Sequence, residues 1–314
     1  MGLWLISAIY MYPGIKVGPD DGIEILKKTG AKYVEVWFRL DWQEKYLSLF
    51  KYLRQKKINF GLHFWAIIKE KYAPNLLSAD PEIADQTYRL IKQTIDIASA
   101  SQAYYVNFHP ESYNDALLDL DQGKIKVISQ KSFDKRQSFA SFLEHLKKIK
   151  QYALKKKVVS FLETVPKFMP ADIQNMSQGR LRPQKAWGLE TEKFFQLAQM
   201  NYPLCLDFGH TMGQLITDNS KELFNYLYHS AQKLKKAVGL IHVTTNAPPF
   251  NGTDSHNGIL EKDFQQGAVP DRKQLIKLLS LFKDTDVWLI PEPQKGKMIA
   301  NHYALKKIVS SLGN

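Results

Sequence analysis

Short β-branched or aromatic runs alternate with longer helical patterns along the whole chain, and this alternation limits the fold more than any other feature. Repeated strand–helix units build parallel sheets covered by helices. The predicted strands are residues 3–10, 33–38, 58–63, 103–109, 158–163, 203–208, 239–243 and 287–292. The predicted helices are residues 20–29, 43–55, 80–100, 132–156, 190–200, 220–237, 271–282 and 300–312. Eight strands and eight helices without a linker predict one α/β domain over residues 1–314, a (β/α)8 TIM barrel.

Composition agrees with a globular domain and narrows its surroundings. With 314 residues, 44% of them hydrophobic, the chain can bury a large core. No apolar run approaches the ~18 residues of a membrane span, and the first residues lack the pattern of a signal peptide. We therefore expect a cytoplasmic protein with no membrane contact. The single cysteine, Cys205, lies inside an apolar run and is predicted to be a core thiol, not a nucleophile.

The formal net charge of +12 leaves a polyanion open as a partner, because clustered cations release counterions from phosphates. Nearly all of the excess is lysine, whereas the chain has only seven arginines. Arginine binds phosphate better than lysine does, because its planar guanidinium group can donate two parallel hydrogen bonds. The charge therefore fits a solvated lysine-rich surface as well as it fits nucleic acid.

Three predicted connections are much longer than the few residues typical of a barrel. They are residues 110–131, 164–188 and 244–270, which follow the fourth, fifth and seventh predicted strands. Long loops in compact domains are usually functional, and in a TIM barrel the loops after the strands form the catalytic face. The sequence therefore predicts a functional site at the carboxyl ends of the strands.

Imidazoles and carboxylates stand at the ends of six predicted strands. They are His63, His109, Glu163, Asp207, His242 and Glu292, with His210, Asp254 and His256 in the connections that follow. Each one alone could be a hydrogen-bonded core residue or a solvated strand end. Together they include five of the eight histidines, while the other three, His145, His229 and His302, lie on predicted helices and are expected at the surface.

Nine such groups around one pocket require a counter-charge, because each desolvated ion would otherwise cost several kcal/mol. Imidazole plus carboxylate without thiolate suits zinc, manganese, iron or cobalt, whereas calcium or magnesium alone would favour an all-oxygen set. Nine candidate ligands exceed the needs of one ion, so two or three ions are expected. Such a cluster would activate a bridging water and stabilise charge on a phosphoryl oxygen.

The same strand ends carry motifs of a known family. The motifs are GLH (61–63), NFHP (107–110), LET (162–164), LDFGH (206–210), IHV (241–243), DSH (254–256) and PEP (291–293). With them the chain resembles the xylose isomerase-like barrel superfamily, and within it the endonuclease IV branch of zinc-dependent apurinic/apyrimidinic endonucleases. The likeness runs from the third predicted strand to the eighth and so covers most of the barrel.

The resemblance implies a phosphoric-ester hydrolase that incises DNA at abasic sites with three zinc ions. Site 1 would consist of His63, His109 and Glu163; site 2 of Glu163, Asp207, His242 and Glu292; and site 3 of His210, Asp254 and His256. Glu163 would bridge sites 1 and 2, and Glu163 and Glu292 are the expected catalytic residues. The loops after LET, IHV and DSH depart from the family, however, and there they touch the substrate. The metal chemistry can therefore be inherited while the substrate has changed.

An alternative comes from the same superfamily. Its sugar and sugar-phosphate isomerases and epimerases use one manganese or magnesium ion, which here would be held by the residues of site 2. The two glutamates then also move a proton beside a polarised carbonyl. Glu35, in GAKYVEVWF, resembles the second strand of that branch. The additional histidines of sites 1 and 3 favour the hydrolase. A barrel that only binds ligands would be expected to lose ligating residues first, and all nine are present.

Four further residues are predicted to bind the substrate. Arg180, Arg182 and Lys185 gather in the long loop after the fifth predicted strand, and Trp65 follows the third strand. They would supply phosphate recognition and stacking, although a solvent-exposed basic loop and a packed aromatic explain them equally well. The expected partner is DNA with abasic sites or a small phosphorylated or sugar substrate, without an obligate protein partner.

Overall fold

The computed structural model describes residues 11–68, 71–119, 124–128, 134–170, 183–186, 188–294 and 296–312. The strands are β1 (Met11–Pro13), β2 (Ile15–Val17), β3 (Tyr33–Arg39), β4 (Asn59–Trp65), β5 (Tyr105–Phe108), β6 (Asp115–Asp119), β7 (Lys124–Ile128), β8 (Val159–Glu163), β9 (Phe168–Pro170), β10 (Pro183–Ala186), β11 (Leu204–Asp207), β12 (Val238–Val243) and β13 (Val287–Pro291). Nine of these strands form one parallel sheet in the order β1-β13-β12-β11-β8-β5-β4-β3-β2.

Helices separate most of the barrel strands along the chain. They are α1 (Gly22–Thr29), a 3-10 helix (Leu40–Tyr46), α2 (Leu47–Gln55), α3 (Pro81–Ser101), α4 (Lys135–Lys155), α5 (Thr191–Gln199), α6 (Phe208–Met212), α7 (Ser220–Leu234), α8 (Glu261–Gln265), α9 (Arg272–Ser280) and α10 (Met298–Ser310). Several begin with ordinary caps: the Asp80 side chain accepts from the backbone N–H of Glu82, and Asp271 forms a capping box with Gln274. No described helix has the length and apolarity needed to cross a membrane.

The two edges of the sheet are consecutive in the chain, so the sheet nearly closes into a barrel. Met11 of β1 pairs with Val287, and Ile15 of β2 pairs with Val34, with Gly14 between the two strands. A Cβ atom on Gly14 would lie 2.6 Å from Ile290 Cδ1 and 2.7 Å from a backbone oxygen, so only glycine fits this crossing point. Strands β1 and β2 together therefore act as the first strand of the barrel.

The predicted α/β barrel fold is confirmed, and three details of the prediction need correction. The predicted first strand, residues 3–10, lies outside the described residues, and the segment that closes the barrel, residues 11–17, was missed. The connections 110–131 and 164–188 are not plain loops, because the antiparallel pairs β6–β7 and β9–β10 lie within them. The predicted helix 43–55 is divided between the 3-10 helix and α2. These pairings are long-range or local to loops, and hydrophobic periodicity does not report them.

The barrel interior has an apolar layer directly below the functional end. Its members are Tyr105, Phe161, Cys205, Leu240 and Ile290, which form one buried cluster. Alternate residues of a strand point to the same face, so the side chain two positions later lies above each of them on the inside of the barrel. A Cβ on Gly61 would lie 2.2 Å from the Tyr105 ring, so this glycine makes room for the tyrosine. The next layer up is polar.

Candidate metal centre

The polar layer takes one side chain from each strand position of the barrel. Its residues are Lys16, Glu35, His63, Asn107, Glu163, Asp207, His242 and Glu292, and all but Glu292 are less than 9% exposed. Six of the eight stand two residues after a member of the apolar layer or after Gly61. The register of the barrel therefore brings all of them to the same level.

Site 2 is the most tightly packed part of the layer. The Nδ1 atom of His242 lies 2.8 Å from Glu292 Oε2, 3.0 Å from Glu163 Oε1 and 3.5 Å from Asp207 Oδ2. One candidate ligand atom from each of the four residues lies within 4.8 Å of the others. Three carboxylates and one imidazole nitrogen thus converge on a single point, as the sequence predicted.

Sites 1 and 3 flank site 2 on the same face. In site 1, His109 Nε2 lies 3.3 Å from Glu163 Oε1 and His63 Nε2 lies 3.6 Å from Glu163 Oε2. In site 3, Asp254 Oδ2 lies 2.7 Å from His256 Nε2 and 3.6 Å from His210 Nε2. The five imidazole rings follow one another with neighbouring centroids 5.2 to 5.6 Å apart. All nine predicted residues are therefore brought together, and their role as metal ligands stays a prediction.

The donor set fits a divalent cation. Among the described residues, buried polar atoms without a hydrogen-bond partner include His109 Nε2, Asp207 Oδ2, Asp254 Oδ2 and Glu292 Oε2. Buried polar atoms are almost always satisfied in proteins, so several unsatisfied carboxylate oxygens and an imidazole nitrogen facing one another indicate a place for a cation. Sites 1, 2 and 3 each contain at least one of these atoms.

Four of the five imidazoles turn their outer nitrogen, the one that points away from its site, toward an acceptor. His109 Nδ1 lies 3.3 Å from a Glu111 carboxylate oxygen, and His242 Nε2 lies 2.9 Å from Glu35 Oε1. The Nδ1 atoms of His210 and His256 lie 2.7 and 3.2 Å from the backbone oxygens of Thr164 and Glu292. An outer N–H held in this way directs the inner nitrogen at the site, so that it can bind a cation once its own proton is displaced, as in metal-bound histidines.

His63 is the fifth imidazole and differs from the other four. Its Nδ1 lies 2.6 Å from the Nζ atom of Lys16, a donor, and 3.2 Å from Glu35 Oε1. Lys16 is itself only 7% exposed, and its Nζ also lies 2.5 Å from Glu292 Oε1 and 3.4 Å from Glu35 Oε1. A buried ammonium group is therefore part of the centre.

The charges of the layer hold its carboxylates ionised. Burial by itself would raise the pKa of Glu163, but the positive charges of His242 and His109 lower the pKa well below its usual range. Burial also opposes ionisation of Glu292, and the charges of Lys16 and His242 outweigh it and lower that pKa as well. Both glutamates are therefore available as anionic ligands and as proton acceptors.

The same carboxylates hold protons on most of the imidazoles. Burial would lower the pKa of His109, but the charges of Glu163 and Glu111 outweigh it and raise the pKa to about 10. Asp254 likewise outweighs burial and raises the pKa of His256 to about 10. A cation that binds to these nitrogens must displace a proton.

The pKa values of Lys16 and of its neighbour His63 shift in opposite directions. Burial would lower the pKa of Lys16, but the charges of Glu292, Glu35 and Glu163 outweigh it and raise the pKa above its usual value. For His63, burial and then the charge of Lys16 lower the pKa. Lys16 is therefore held as an ammonium ion beside a neutral imidazole.

The stretch LDFGH acquires its geometry from one short helix. Asp207 is the N-cap of α6, and its Oδ1 accepts a hydrogen bond of 2.8 Å from the backbone N–H of His210. The other oxygen, Oδ2, faces site 2. A Cβ on Gly209 would lie 2.4 Å from Asp254 Oδ1 and 2.7 Å from Thr244 Oγ1, so glycine is required for close approach. The one-turn spacing thus places Asp207 in site 2 and His210 in site 3.

Backbone strain accompanies two residues of the centre. Glu111 and His256 both have positive φ angles, 61° and 44°, although neither is glycine. Residues held in this region cost about 1–3 kcal/mol and gather at functional sites. Glu111 orients His109, and His256 belongs to site 3, so both strained positions serve the cluster.

Several functional candidates were missed or can only partly be described. Lys16, Tyr105 and Asn107 were not predicted, although Tyr105 Oη donates to Glu35 Oε2 over 3.2 Å and Asn107 Nδ2 donates to Glu163 Oε2 over 2.5 Å. These residues occupy alternate positions of β2 and β5 that face the inside of the barrel. That two-residue alternation was the sequence signal that could have identified them.

Among the predicted substrate residues, Arg180 and Arg182 lie outside the described residues, and Lys185 is described only as part of the backbone of β10. Trp65 is half-buried at the mouth, where its ring centroid lies 6.3 Å from that of Trp37 and the Arg39 guanidinium lies 5.0 Å above it. Its predicted role in stacking on a substrate stays a prediction.

Cys205 is buried in the apolar layer, and burial raises the pKa of its thiol well above the usual value. The prediction that it is a core thiol agrees with this environment, although its Sγ also lies within 4.8 Å of candidate ligand atoms of Glu163 and His242.

The expected surface position of two histidines on the helices is wrong. His145 is 6% exposed, with Nε2 3.1 Å from Asp85 Oδ1, and His302 is 1% exposed, with Nδ1 2.7 Å from the Gly14 backbone oxygen. Each pairs with another element of the barrel. They are packing residues far along the chain from their partners, while His229 is exposed as predicted.

The fold and this cluster place the chain among TIM barrels whose functional face is the carboxyl-terminal mouth. More narrowly, the chain belongs to the family of xylose isomerase-like TIM barrels, which matches residues 23–309. The superfamily expected from the strand-end motifs is thereby confirmed. No curated protein gives a significant match to the sequence.

Solved structures of sugar epimerases are similar in fold. A D-tagatose 3-epimerase-like protein has a TM-score of 0.65 and 12% identity, covering 96% of this chain and 98% of that chain. An L-ribulose 3-epimerase has a TM-score of 0.63 and 12% identity, covering 95% of both chains. A D-allulose 3-epimerase from Methylomonas sp. has a TM-score of 0.59 and 15% identity, covering 96% of this chain and 91% of that chain. At these identities the likeness shows a common fold.

Proposed function

We propose that the protein is a divalent-metal-dependent isomerase or epimerase that acts on a sugar or sugar phosphate. Site 2 carries this proposal, because two glutamates, an aspartate and a histidine from four neighbouring strands converge within 4.8 Å. The similar solved structures named above are sugar epimerases, which supports this alternative over the abasic-site endonuclease. The proposed cofactor is one manganese or magnesium ion, which suits a set dominated by carboxylates.

The residues of site 2 have the chemistry that such a reaction requires. Glu163, Asp207, His242 and Glu292 would hold the divalent cation, which would supply the Lewis acid that polarises the oxygens of a bound sugar. The protein itself must then move a proton between carbon and a base. Glu163 and Glu292 are the candidates, since they come from β8 and from the end of β13, with β11 and β12 between them in the sheet.

In the proposed step, one glutamate takes a proton from the carbon beside the carbonyl, and the electron pair of the C–H bond moves toward the carbonyl oxygen. Return of a proton to the other face of that carbon restores the carbonyl and completes an epimerisation. In an isomerisation the hydroxyl on that carbon gives its proton to the former carbonyl oxygen, the carbon proton returns to the former carbonyl carbon, and the carbonyl has moved to the adjacent carbon. Glu292 is 19% exposed and Glu163 is fully buried. Glu292 is therefore the glutamate that solvent and substrate reach more readily.

The remaining imidazoles and the aromatic rim provide substrate contacts in this proposal. His210 and His256 present nitrogen atoms beside site 2 that can bind hydroxyl or phosphate oxygens. Trp65 and Trp37 form an aromatic wall at the ends of β4 and β3, which suits the apolar face of a sugar ring.

Deuterium uptake tests the proposal directly. The purified protein is loaded with manganese or magnesium and incubated in D2O with a panel of ketoses, aldoses and their phosphates. NMR then reports deuterium at the carbon beside the carbonyl and the formation of an isomer. The Glu292→Gln variant should lower the rate about 10²–10⁴-fold, as expected for loss of a general acid–base group.

The matched control is Glu144→Gln, an identical change at an exposed position of α4. It should react like the wild type. Failure of every sugar in the panel to exchange or isomerise, with either metal, would overturn the proposal. Equal activity of Glu292→Gln and wild type would overturn the assigned role of Glu292.

A second function, phosphoester hydrolysis with zinc, is supported by a specific observation. Sites 1 and 3 also bring their candidate ligand atoms within 4.8 Å, and sites 1 and 2 share Glu163, as a two-metal hydrolase requires. Incision of a duplex with a single abasic site, dependent on zinc and abolished by a chelator, would support this function. Absence of incision at any zinc loading would exclude the repair activity.

A further inference from the structure

His63 is the one imidazole of the centre whose outer nitrogen is closest to a donor. Its Nδ1 lies 2.6 Å from Lys16 Nζ, whereas Glu35 Oε1 is 3.2 Å away. The other four outer nitrogens face carboxylate or backbone oxygens at 2.7 to 3.3 Å. The difference concerns the hydrogen-bond role of one atom, and it decides whether His63 can bind a metal ion.

Lys16 can only donate in this environment. Its ammonium group lies between the carboxylates of Glu292 and Glu35, at 2.5 and 3.4 Å, and is almost completely buried. An ammonium group has three donors and no acceptor. The contact with His63 at 2.6 Å is therefore a hydrogen bond in which the lysine donates and the lone pair of Nδ1 accepts.

A neutral imidazole carries one proton, so an accepting Nδ1 requires the proton to be on Nε2. The Nε2 atom of His63 is the one that faces site 1, 3.6 Å from Glu163 Oε2. A nitrogen that carries a proton has no lone pair for a metal ion. Binding there would require the Lys16 hydrogen bond to break or the imidazole to lose both protons.

We propose that Lys16 fixes His63 as a hydrogen-bond donor and thereby keeps a metal ion out of site 1. The Nε2–H group then points at Glu163 and at any substrate oxygen beside it. Lys16 is a positioning residue in this scheme, because it acts through His63 and through Glu292. Its donation to Glu292 Oε1 leaves Oε2 turned toward His242 Nδ1, at 2.8 Å, in site 2.

This inference rests on the proposed function and deepens it. An isomerase needs site 2 alone, whereas the two-metal hydrolase needs sites 1 and 2 filled together. Removal of the lysine should therefore convert site 1 into a metal site. The buried carboxylates that Lys16 neutralises would gain a divalent cation nearby in its place.

Metal counting provides the first test. Wild type, Lys16→Met and Lys51→Met are saturated with zinc, passed over a desalting column and analysed by mass spectrometry. Lys16→Met should hold one ion more per chain than wild type, and the exposed control in α2, Lys51→Met, should hold the same number as wild type. The double variant Lys16→Met/His63→Asn should return to the wild-type count, because the additional ion needs His63.

A second variant remains informative if Lys16→Met fails to fold. His63→Asn alone should leave the metal count unchanged, since His63 is not a ligand in the wild type. Loss of one ion in His63→Asn, or no additional ion in folded Lys16→Met, would overturn the inference.

The tautomer of His63 can also be read directly. Long-range ¹H–¹⁵N spectra of histidine-labelled protein loaded with magnesium should show His63 with its proton on Nε2, assigned by its disappearance in His63→Asn. A proton on Nδ1 would contradict the inference. Absence of sugar isomerisation, by contrast, would end the proposed function without changing the metal count or the tautomer, so the two failures are distinguishable.

Discussion

Replacing Glu35 with glutamine tests how the candidate metal centre is supported from below. The carboxylate is fully buried, and its Oε1 lies 2.9 Å from the outer nitrogen of His242. With an ion in site 2, the Glu35 carboxylate would hold the proton of His242 on Nε2 while Nδ1 faces the ion. Glutamine keeps the shape of the side chain but loses the charge and turns one acceptor into a donor.

The expected effect can be stated as an affinity. Loss of an outer partner of a metal-bound histidine typically costs 10–100-fold in metal affinity, about 1.4–2.8 kcal/mol. The effect at Glu35 should fall toward the upper end of that range, because the same oxygen lies 3.4 Å from Lys16, which would lose a counter-charge. Glu35→Gln should therefore bind manganese ~100-fold more weakly than the wild type.

Glu111→Gln is the matched control. Glu111 lies 3.3 Å from the outer nitrogen of His109 and so supports site 1 in the way that Glu35 supports site 2. If site 1 does not hold an ion, Glu111→Gln should bind manganese like the wild type. Isothermal titration of metal-free protein measures all three affinities. Unchanged binding by Glu35→Gln, or equal weakening by both variants, would refute this description of the centre.

Three further predictions concern the same region. Gly209→Ala should lower the free energy of unfolding by about 1–3 kcal/mol, measured by urea denaturation, because the new methyl group would lie 2.4 Å from Asp254 Oδ1; unchanged stability would show that Asp254 moves freely. Tyr105→Phe should cost about 1.5–3 kcal/mol in the same assay, since it removes the hydroxyl that donates to the buried Glu35 carboxylate, and a neutral result would mean that this bond does not form. Metal uptake should release a proton, because neighbouring carboxylates outweigh burial and raise the pKa of His242 well above its usual value. The apparent affinity for manganese should then fall up to ~10-fold for each unit that the pH is lowered below neutrality, and calorimetry in buffers of different ionisation enthalpy should detect the proton. A pH-independent affinity would contradict the last prediction.

The strand-end residues could be predicted because a parallel barrel places all carboxyl ends of its strands at one mouth. Glu163, His242 and Glu292 follow apolar strands, and their position in the chain is sufficient to place them together. The pairing of His242 with Glu35 through its outer nitrogen could not be predicted in this way. It depends on the stagger between β12 and β3, which are separated by β13 and by the strand position that β1 and β2 share.

Lys16 illustrates a different limit of the sequence. The first strand was predicted at residues 3–10, which are richer in apolar and aromatic residues than IKV, so a lysine between two β-branched residues gave no sign of burial. Only closure of the barrel through β1 and β2 turns this side chain inward. Closure of the barrel also explains why the burial of His302 was not predicted, because its partner is the backbone oxygen of Gly14 at the junction of those strands.

In the proposed scheme, the number of metal ions depends on contacts that the motifs do not contain. An isomerase with one ion and a hydrolase with several can present the same glutamates, aspartates and histidines at the same strand ends, because the inner atoms are chemically alike. What separates them is the partner of each outer nitrogen. An acceptor such as Glu111 beside the outer nitrogen of His109 favours metal binding at the inner nitrogen. A donor such as Lys16 beside the outer nitrogen of His63 instead favours a proton on the inner nitrogen. In the proposed scheme, a single lysine on the first strand decides between the two activities while all nine predicted residues stay in place.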